Sequence, residues 1–152
     1  LRTTNLTDAE QNERSRIKPS RYEQLIFVLC PPREVLYRCI EARIDEMLKH
    51  GLLEEARTVF DNKESFKTAA QAIGYKEFFE YFKNERSLEE CTDLLKQATR
   101  RYAKRQITWF KREENALWLD TAAEDAKQTA NRIVARFYET FDNNEKKKGI
   151  TQ

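Results

Sequence analysis

The spacing of hydrophobic residues along the chain predicts short strands and a succession of helices. A continuous apolar run at 25–30 ends at Pro31 and Pro32, which is typical of a strand buried on both faces of a parallel sheet. Elsewhere apolar residues recur at intervals of three and four, as on one face of a helix. This spacing predicts helices at 33–50, 53–60, 75–82, 88–112 and 122–141, and a short strand at 117–119. We expect a mainly α fold with one buried strand, 25–30, whose sheet neighbours come from sequence upstream of this chain.

Local signals mark where the first helix begins and ends. Pro32 precedes it, and Gly51 follows it at the position where a left-handed backbone commonly closes a helix. His50 lies where the helix dipole favours a cation, so capping explains it better than catalysis. Residues 1–21 are polar and predict a weakly ordered lead-in, residues 22–142 form the main folded region, and residues 143–152 are expected to be a flexible tail.

The composition mainly excludes certain classes of protein and site. The net charge is only +2, and no apolar run approaches the roughly 18 residues that a membrane span needs. We therefore expect a cytoplasmic protein that has no membrane partner, with the monomer favoured. The three cysteines, Cys30, Cys39 and Cys91, are far apart and lack C-x-x-C spacing, which predicts reduced core residues rather than disulfides or a zinc site.

Positive charge is concentrated on the longest predicted helix. No acidic residue occurs between Asp93 and Glu113, whereas the basic residues there are Lys96, Arg100, Arg101, Lys104, Arg105, Lys111 and Arg112. Like charges at i,i+4 spacing repel each other by about 0.2–0.5 kcal/mol per pair, so we expect an anion outside the helix to offset them. Phosphate is the usual candidate, and Lys96 and Arg100 are possible phosphate contacts. A solvated charged face is the alternative.

Aromatic residues accompany this charge. The apolar seam of the same helix consists of Leu88, Cys91, Leu95, Ala98, Tyr102 and Trp109, and Arg105 interrupts it between the last two members. A seam alone indicates core packing, but the interruption suggests that the seam leaves the core there and meets a ligand. A further stripe, Tyr75, Phe78, Phe79 and Phe82, is more often core than a base-stacking platform, and Tyr75 is its best candidate for stacking.

Arg43 lies in the middle of the apolar arc of the first helix. The arc is formed by Cys39, Ile40, Ile44 and Met47. Burying an unpaired arginine costs several kcal/mol, so Arg43 is expected to meet an anion. An ion pair with a core carboxylate, or a guanidinium that reaches out to solvent, is the structural explanation. A clamp on diphosphate oxygens is the functional one, because the planar fork binds phosphate through two parallel hydrogen bonds.

A set of short motifs occurs in one order along the chain. The motifs are Pro32-Arg33-Glu34, Leu36-Tyr37, Arg43 through Met47-Leu48 to Gly51-Leu52, Gln71-Ala72-Ile73-Gly74-Tyr75-Lys76-Glu77, Thr99-Arg100, Tyr102-Ala103-Lys104-Arg105-Gln106 and Thr108-Trp109. In order and approximate spacing they resemble the C-terminal part of the tRNA dimethylallyltransferase family, also called tRNA isopentenyltransferases. The likeness runs from about residue 22 to residue 120. Each motif alone is weak evidence, but together in register they are strong.

The resemblance implies an enzyme with an α/β P-loop NTPase-like fold, to whose parallel sheet the strand at 25–30 would belong. Such an enzyme transfers the dimethylallyl group of dimethylallyl diphosphate to the exocyclic amine of the adenosine adjacent to a tRNA anticodon, and diphosphate leaves. By the same resemblance Arg43 contacts the diphosphate. The anticodon stem-loop is held by Gln71, Ala72, Ile73, Gly74, Tyr75, Lys76, Lys104, Arg105, Gln106, Ile107, Thr108, Trp109, Phe110 and Lys111. Magnesium is the implied cofactor, with its ligands outside this chain.

Two implied parts of the enzyme are missing from the sequence. Gly51, Gly74 and Gly149 are its three glycines, which excludes a G-x-x-x-x-G-K-[ST] phosphate loop, and the general base, an aspartate in the family, would lie upstream. Because the chain also starts at Leu1, we expect a C-terminal portion that is inactive alone. Two other functions stay open, a non-catalytic helical RNA-binding module and a helical interaction protein. Arg43 distinguishes them, since only the transferase requires a cation in that apolar arc.

Overall fold

The computed structural model describes Thr7 and residues 22–148, with side chains described as far as Phe141. In chain order the elements are strand β1 (Ile26–Leu29), helices α1 (Arg33–Lys49) and α2 (Leu52–Asp61), 3-10 turns at Ala69–Gln71 and Lys76–Phe78, helices α3 (Phe79–Phe82) and α4 (Leu88–Phe110), strand β2 (Ala116–Leu119) and helix α5 (Ala126–Lys148). This part of the chain is mainly helical, as predicted. None of its helices has the length and apolar character needed to cross a membrane. Apart from Thr7, the lead-in predicted at 1–21 lies outside the described residues.

The strands β1 and β2 pair in parallel, with Ile26 opposite Ala116 and Leu29 opposite Leu119. The backbone N–H of Cys30 extends this pairing by donating to the Leu119 carbonyl at 2.9 Å. A sheet neighbour of β1 therefore comes from downstream, and the expectation of upstream neighbours alone is wrong. Leu29 is 54% exposed in the described structure, and burial of β1 on both faces by upstream sequence stays a prediction. A two-stranded sheet covers little of its own surface and needs further strands or helices against it for stability.

Helices α1 and α2 meet at Gly51, which has a φ of +98°. This left-handed conformation is strained for residues that carry a Cβ atom, so the glycine both closes α1 and precedes α2. The backbone N–H of His50 donates to the Glu46 carbonyl, and its exposed ring places Nδ1 2.7 Å from the same oxygen. The capping role of His50 is thereby confirmed.

The core lies where α1, α2 and α4 surround the 3-10 turn at Lys76–Phe78. Its buried side chains are Ile44, Leu52, Ala56, Phe78, Cys91 and Leu95. The helix predicted at 75–82 is in fact this 3-10 turn followed by the short helix α3. Its aromatic stripe belongs to the core, as predicted, because Phe78 is fully buried and Phe79 packs edge-on against Phe60 with ring centroids 5.2 Å apart.

The cysteines differ in burial. Cys91 is buried in the core, where burial raises the pKa of its thiol, whereas Cys30 is half-buried and Cys39 is exposed. The prediction that all three are core residues is therefore wrong for Cys39. It lies on α1 outside the arc that packs on α4, and Met47, another member of the predicted arc, is also exposed.

Helix α4 begins with a capping box. The Ser87 side chain accepts a hydrogen bond from the Glu90 backbone N–H at 3.2 Å, and the Glu90 carboxylate accepts one from the Ser87 backbone N–H at 2.8 Å. Both bonds satisfy N–H groups that have no partner within the helix. The backbone N–H of Ser87, and then its hydroxyl, hold the pKa of the Glu90 carboxyl below its ordinary value.

We expect Ser87→Ala to lower the free energy of unfolding by about 1 kcal/mol, the usual effect of deleting an N-cap side chain. Urea denaturation at pH 7 measures the loss. Ser65→Ala is the matched control, because Ser65 is exposed and its backbone N–H, not its hydroxyl, bonds Asn62. Since the folded pKa of Glu90 lies below the unfolded one, its contribution is complete above the ordinary pKa and is lost as pH falls through the lowered one. Ser87→Ala keeps the backbone N–H and removes only the hydroxyl, which donates to the Glu90 carboxylate at 2.9 Å, so only that part of the difference from wild type should be lost in acid. Equal losses for both serine variants would contradict the assignment.

Helix α5 begins at Ala126, four residues after the predicted start at 122. The reason is a second reciprocal cap, in which the Asp125 carboxylate accepts from the Gln128 N–H at 2.7 Å and the Gln128 side chain accepts from the Asp125 N–H at 3.0 Å. Before it, Asp120 accepts from the Ala122 N–H at 2.8 Å and keeps that segment in a turn. The helix continues to Lys148 instead of ending at residue 141.

Candidate functional site

A cavity of about 520 Å³ opens between α1, the segment at 71–76 and α4. We call it the Arg43 cavity. Its lining residues are Ile40, Arg43, Ile44, Met47, Ile73, Gly74, Leu95, Thr99 and Tyr102. The volume lies in the range of small-molecule sites, about 300–1,000 Å³. Arg43, Ile73 and Gly74, which the sequence predicts to contact different ligands, are therefore brought together around one space.

Arg43 supplies the positive charge of this cavity. The residue is exposed, and no ion pair or side-chain hydrogen bond joins it to another residue in the described part of the chain. The predicted alternative of an ion pair with a core carboxylate is therefore wrong there. Arg43 lines the cavity and is exposed, which fits the predicted alternative of a guanidinium that reaches out to solvent. Its N–H donors have no partner among the described residues and are available to a ligand.

The segment at 71–76 contributes one side of the cavity. Gly74 is buried and has a φ of +112°, a conformation that disfavours any other residue. Its backbone N–H donates to the Glu77 carboxylate at 2.9 Å, so this N–H is engaged within the chain. Gln71 and Lys76 are exposed, Ala72 is half-buried, and Lys76 lies beside a separate surface hollow with Glu80 and Arg101.

Tyr75 holds this segment on α2. Its hydroxyl donates to the Glu55 carboxylate at 2.7 Å, and that hydrogen bond raises the pKa of Tyr75. The half-buried ring packs against the core cluster. This geometry favours a positioning role over base stacking, and contact of Tyr75 with RNA stays a prediction.

Thr99 and Tyr102 are among the lining residues of the Arg43 cavity that the sequence did not predict as site residues. Thr99 lines it, although its hydroxyl is engaged with the Leu95 carbonyl at 2.9 Å. Tyr102 was identified only as part of the seam. The signal that could have found it is the interruption at Arg105: Cys91 and Leu95 are buried, whereas Tyr102 is 47% exposed, so the seam does leave the core at that point.

The last turns of α4 line a second cavity, of about 380 Å³, which we call the strand-end cleft. Its lining residues are Cys30, Pro31, Arg33, Tyr37, Lys104, Ile107, Thr108, Lys111 and Trp118. Four predicted RNA contacts, Lys104, Ile107, Thr108 and Lys111, therefore share one space. The others lie around it on the surface. Arg105 is stacked over Tyr102 at 5.5 Å, Gln106 is exposed, and exposed Trp109 packs edge-on against half-buried Phe110 with ring centroids 4.9 Å apart.

Two of the basic residues of α4, Lys96 and Arg100, are neutralised within the chain. Lys96 Nζ lies 2.7 Å from the Asp45 carboxylate, and Arg100 Nη1 lies 2.6 Å from that of Glu41. Both acids belong to α1. The expectation that an external anion must offset these charges is therefore wrong for Lys96 and Arg100, and their contact with phosphate stays a prediction. Lys104 and Lys111 form no such pair in the part of the chain that the structure describes.

The described residues contain no cluster of metal-binding side chains. Nowhere among them do three histidine, cysteine, aspartate or glutamate side chains come together as metal ligands do. The resemblance implies magnesium with its ligands outside this chain; this stays a prediction, and no step below is routed through the ion.

Comparisons of this chain with known proteins agree on one family. The family model described as IPP transferase matches residues 1–113. The tRNA dimethylallyltransferase of Lactobacillus johnsonii is 49% identical over 108 residues, which are 71% of this chain and 35% of that protein. That of Lactobacillus delbrueckii subsp. bulgaricus strain Lb-18 is 46% identical over 138 residues, 91% of this chain and 43% of that protein.

Solved structures agree with these sequence matches. The full-length tRNA isopentenylpyrophosphate transferase of Bacillus halodurans superposes with a TM-score of 0.77 at 34% identity, covering 91% of this chain and 46% of that one. The tRNA delta(2)-isopentenylpyrophosphate transferase of Staphylococcus epidermidis gives a TM-score of 0.74 at 32% identity, covering 87% of this chain and 43% of that one. The chain thus spans less than half the length of each of these four proteins.

Proposed function

The chain belongs to the IPP transferase family, and on that premise we propose that it forms the donor-facing and RNA-facing part of a tRNA prenyltransferase. The reaction joins C1 of a dimethylallyl group to the exocyclic nitrogen of the adenosine adjacent to the anticodon. The bond between C1 and the diphosphate oxygen breaks, diphosphate takes the electron pair, and the nitrogen loses a proton to a general base.

The observation that carries this proposal is the position of Arg43, which has no ion pair among the described residues, at an apolar cavity of about 520 Å³. A prenyl diphosphate combines an apolar chain with a compact anion, and the cavity combines apolar residues, such as Ile40 and Ile73, with one fork of hydrogen-bond donors. The negative charge on the bridging oxygen grows as the C1–O bond breaks. Arg43 would stabilise that charge through hydrogen bonds that strengthen in the transition state.

The RNA would be held by the end of α4. Lys104 and Lys111 are exposed cations without a partner in the described residues, and Arg105, Gln106 and Trp109 are exposed between them. Their exposure on one helix, next to the Arg43 cavity at Tyr102, would place bound RNA close to the donor. A base must leave its stack to react, and exposed aromatic side chains favour the extruded state.

The remaining machinery is proposed to come from sequence that this chain does not contain. A phosphate loop and its P-loop NTPase-like sheet would extend the β1–β2 pair, and an aspartate would accept the proton. Because the chain has no G-x-x-x-x-G-K-[ST] motif, we propose that it does not transfer the prenyl group alone.

A hybrid enzyme tests the proposal. In it, this chain replaces the stretch that it matches in the Lactobacillus delbrueckii relative, to which it is 46% identical over 138 residues. We expect mass spectrometry to detect prenylated adenosine when the hybrid is incubated with unmodified tRNA, dimethylallyl diphosphate and magnesium, and none with the chain alone. Product from the chain alone would show that it needs no further machinery. A folded hybrid that binds tRNA without forming product would favour the non-catalytic RNA-binding module, which the cations of α4 also support.

A further inference from the structure

The strand-end cleft brings together three cations from distant parts of the sequence. Arg33 is the first residue of α1, whereas Lys104 lies in the last two turns of α4 and Lys111 directly follows that helix. No carboxylate lines the cleft, and none of the three cations forms an ion pair in the described part of the chain. This differs from Lys96 and Arg100, which are neutralised by α1. The uncompensated charge is therefore local to the cleft and favours an anionic ligand there.

Arg33 is held toward this space by Tyr37, one turn along α1. Its Nε donates to the Tyr37 hydroxyl at 3.0 Å, and its guanidinium carbon lies 5.0 Å from the centre of the Tyr37 ring. The hydrogen bond and the cation–π contact fix the plane of the fork without neutralising its charge. Four of the five guanidinium N–H donors are left for a ligand.

Trp118 provides an apolar surface beside the cations. It lies on β2, is 39% exposed and lines the cleft together with Ile107 and Pro31. The cleft is located just beyond the carboxyl end of β1, where open parallel sheets commonly bind nucleotides. Cations for a phosphate next to an exposed indole for a base match the way single-stranded nucleic acids are held.

We propose that the strand-end cleft binds one unpaired nucleotide of the RNA substrate, with Arg33 on its phosphate and Trp118 against its base. The proposal rests on the proposed function only in taking tRNA as the ligand. It adds Arg33, Tyr37 and Trp118 to the RNA-contacting residues and assigns no chemical step to them. Lys104 and Lys111 contribute charge from the opposite side of the cleft.

Equilibrium binding of an anticodon stem-loop RNA to the full 152-residue chain, followed by fluorescence anisotropy over a series of salt concentrations, tests the proposal. We expect Arg33→Ala to weaken binding about tenfold, since a charged hydrogen bond is lost. We also expect the slope of log affinity against log salt to fall by about 0.7–0.9, the value for one phosphate contact. Tyr37→Phe removes the hydroxyl that positions Arg33 and should give a smaller loss.

Arg38→Ala is the matched control, because Arg38 is an exposed arginine of the same helix that lines neither cavity. Its affinity and salt slope should match those of the wild type. In a Trp109→Phe background Trp118 is the remaining tryptophan, and its fluorescence should be quenched when RNA binds. Circular dichroism establishes that each variant is folded.

The outcomes separate this proposal from the prenyl-transfer reaction. Equal affinities for Arg33→Ala and Arg38→Ala, with unchanged Trp118 fluorescence, would overturn the cleft as a nucleotide site even if the hybrid enzyme prenylates tRNA. If Arg33→Ala lost RNA affinity, Arg38→Ala did not, and the hybrid formed no prenylated adenosine, the cleft would be supported as a nucleotide site and the proposed reaction would be contradicted. If Arg33→Ala also weakened the binding of inorganic phosphate, and RNA did not quench Trp118, the cleft would be a simple anion site. That result would overturn the assignment of a base to Trp118.

Discussion

Replacing Arg43 with alanine should slow prenyl transfer by the hybrid enzyme about 10²- to 10³-fold, while its affinity for tRNA stays within about twofold. The loss of rate is that expected when one donor aimed at developing transition-state charge is removed. The affinity for tRNA should change little, because Arg43 does not line the strand-end cleft, where the cations Lys104 and Lys111 lie. Initial rates by mass spectrometry, at saturating dimethylallyl diphosphate, measure the effect.

Two variants sharpen this test. Arg43→Lys keeps the charge but loses the planar fork, so its rate should fall between those of the wild type and Arg43→Ala. Arg38→Ala removes an exposed arginine from the same helix and should leave the rate unchanged. If Arg43→Ala affected tRNA affinity and left the rate at saturating donor intact, Arg43 would belong to the RNA interface instead of the diphosphate site.

The fold was predictable from sequence where a local signal determines the backbone. Pro32 and Gly51 set the limits of α1 to within a residue, because proline cannot continue a helix upstream and glycine accepts the left-handed closing conformation. The segment at 75–82 was harder, because its helical spacing of aromatic residues is also produced by a 3-10 turn followed by one helical turn. The partner of β1 could not be read locally, since parallel pairing joins strands separated by most of the chain.

In the candidate site, too, residues with a local sequence signal were predictable and residues that depend on packing between helices were not. Arg43 stood out because a cation within an apolar arc conflicts with the local pattern, and such conflicts often mark functional positions. Its role at the diphosphate, however, was implied by the resemblance and not by the pattern. Arg33 gave no such signal, since an exposed arginine at the start of a helix is ordinary. Its importance arises only when α1 is placed against α4 and the cleft forms. For Lys96 the sequence predicted an external anion, and this was wrong because its neutralising partner, Asp45, lies on another helix.

Both cavities depend on the core that holds α1, α2 and α4 together, and Phe78 is its largest fully buried side chain. Phe78 follows the segment at 71–76 in sequence and lies in one cluster with Ile44 and Leu95, which also line the Arg43 cavity. Removing its ring would leave a void that neighbours on three helices cannot fill without moving. Buried phenylalanine-to-alanine changes usually cost about 3–5 kcal/mol for this reason.

We therefore expect Phe78→Ala to lower the free energy of unfolding of the full chain by about 3–5 kcal/mol, measured by urea denaturation. Phe66→Ala is the matched control, because Phe66 is 47% exposed and surface substitutions usually change stability by less than about 0.5 kcal/mol. Similar losses for the two variants would contradict the position of Phe78 in the core. If Phe78→Ala unfolds the chain, Phe78→Leu keeps part of the volume and should still be destabilised more than Phe66→Leu.

Because Phe78 connects the 71–76 segment to α1 and α4, loss of its ring should also weaken donor binding at the Arg43 cavity before the chain unfolds.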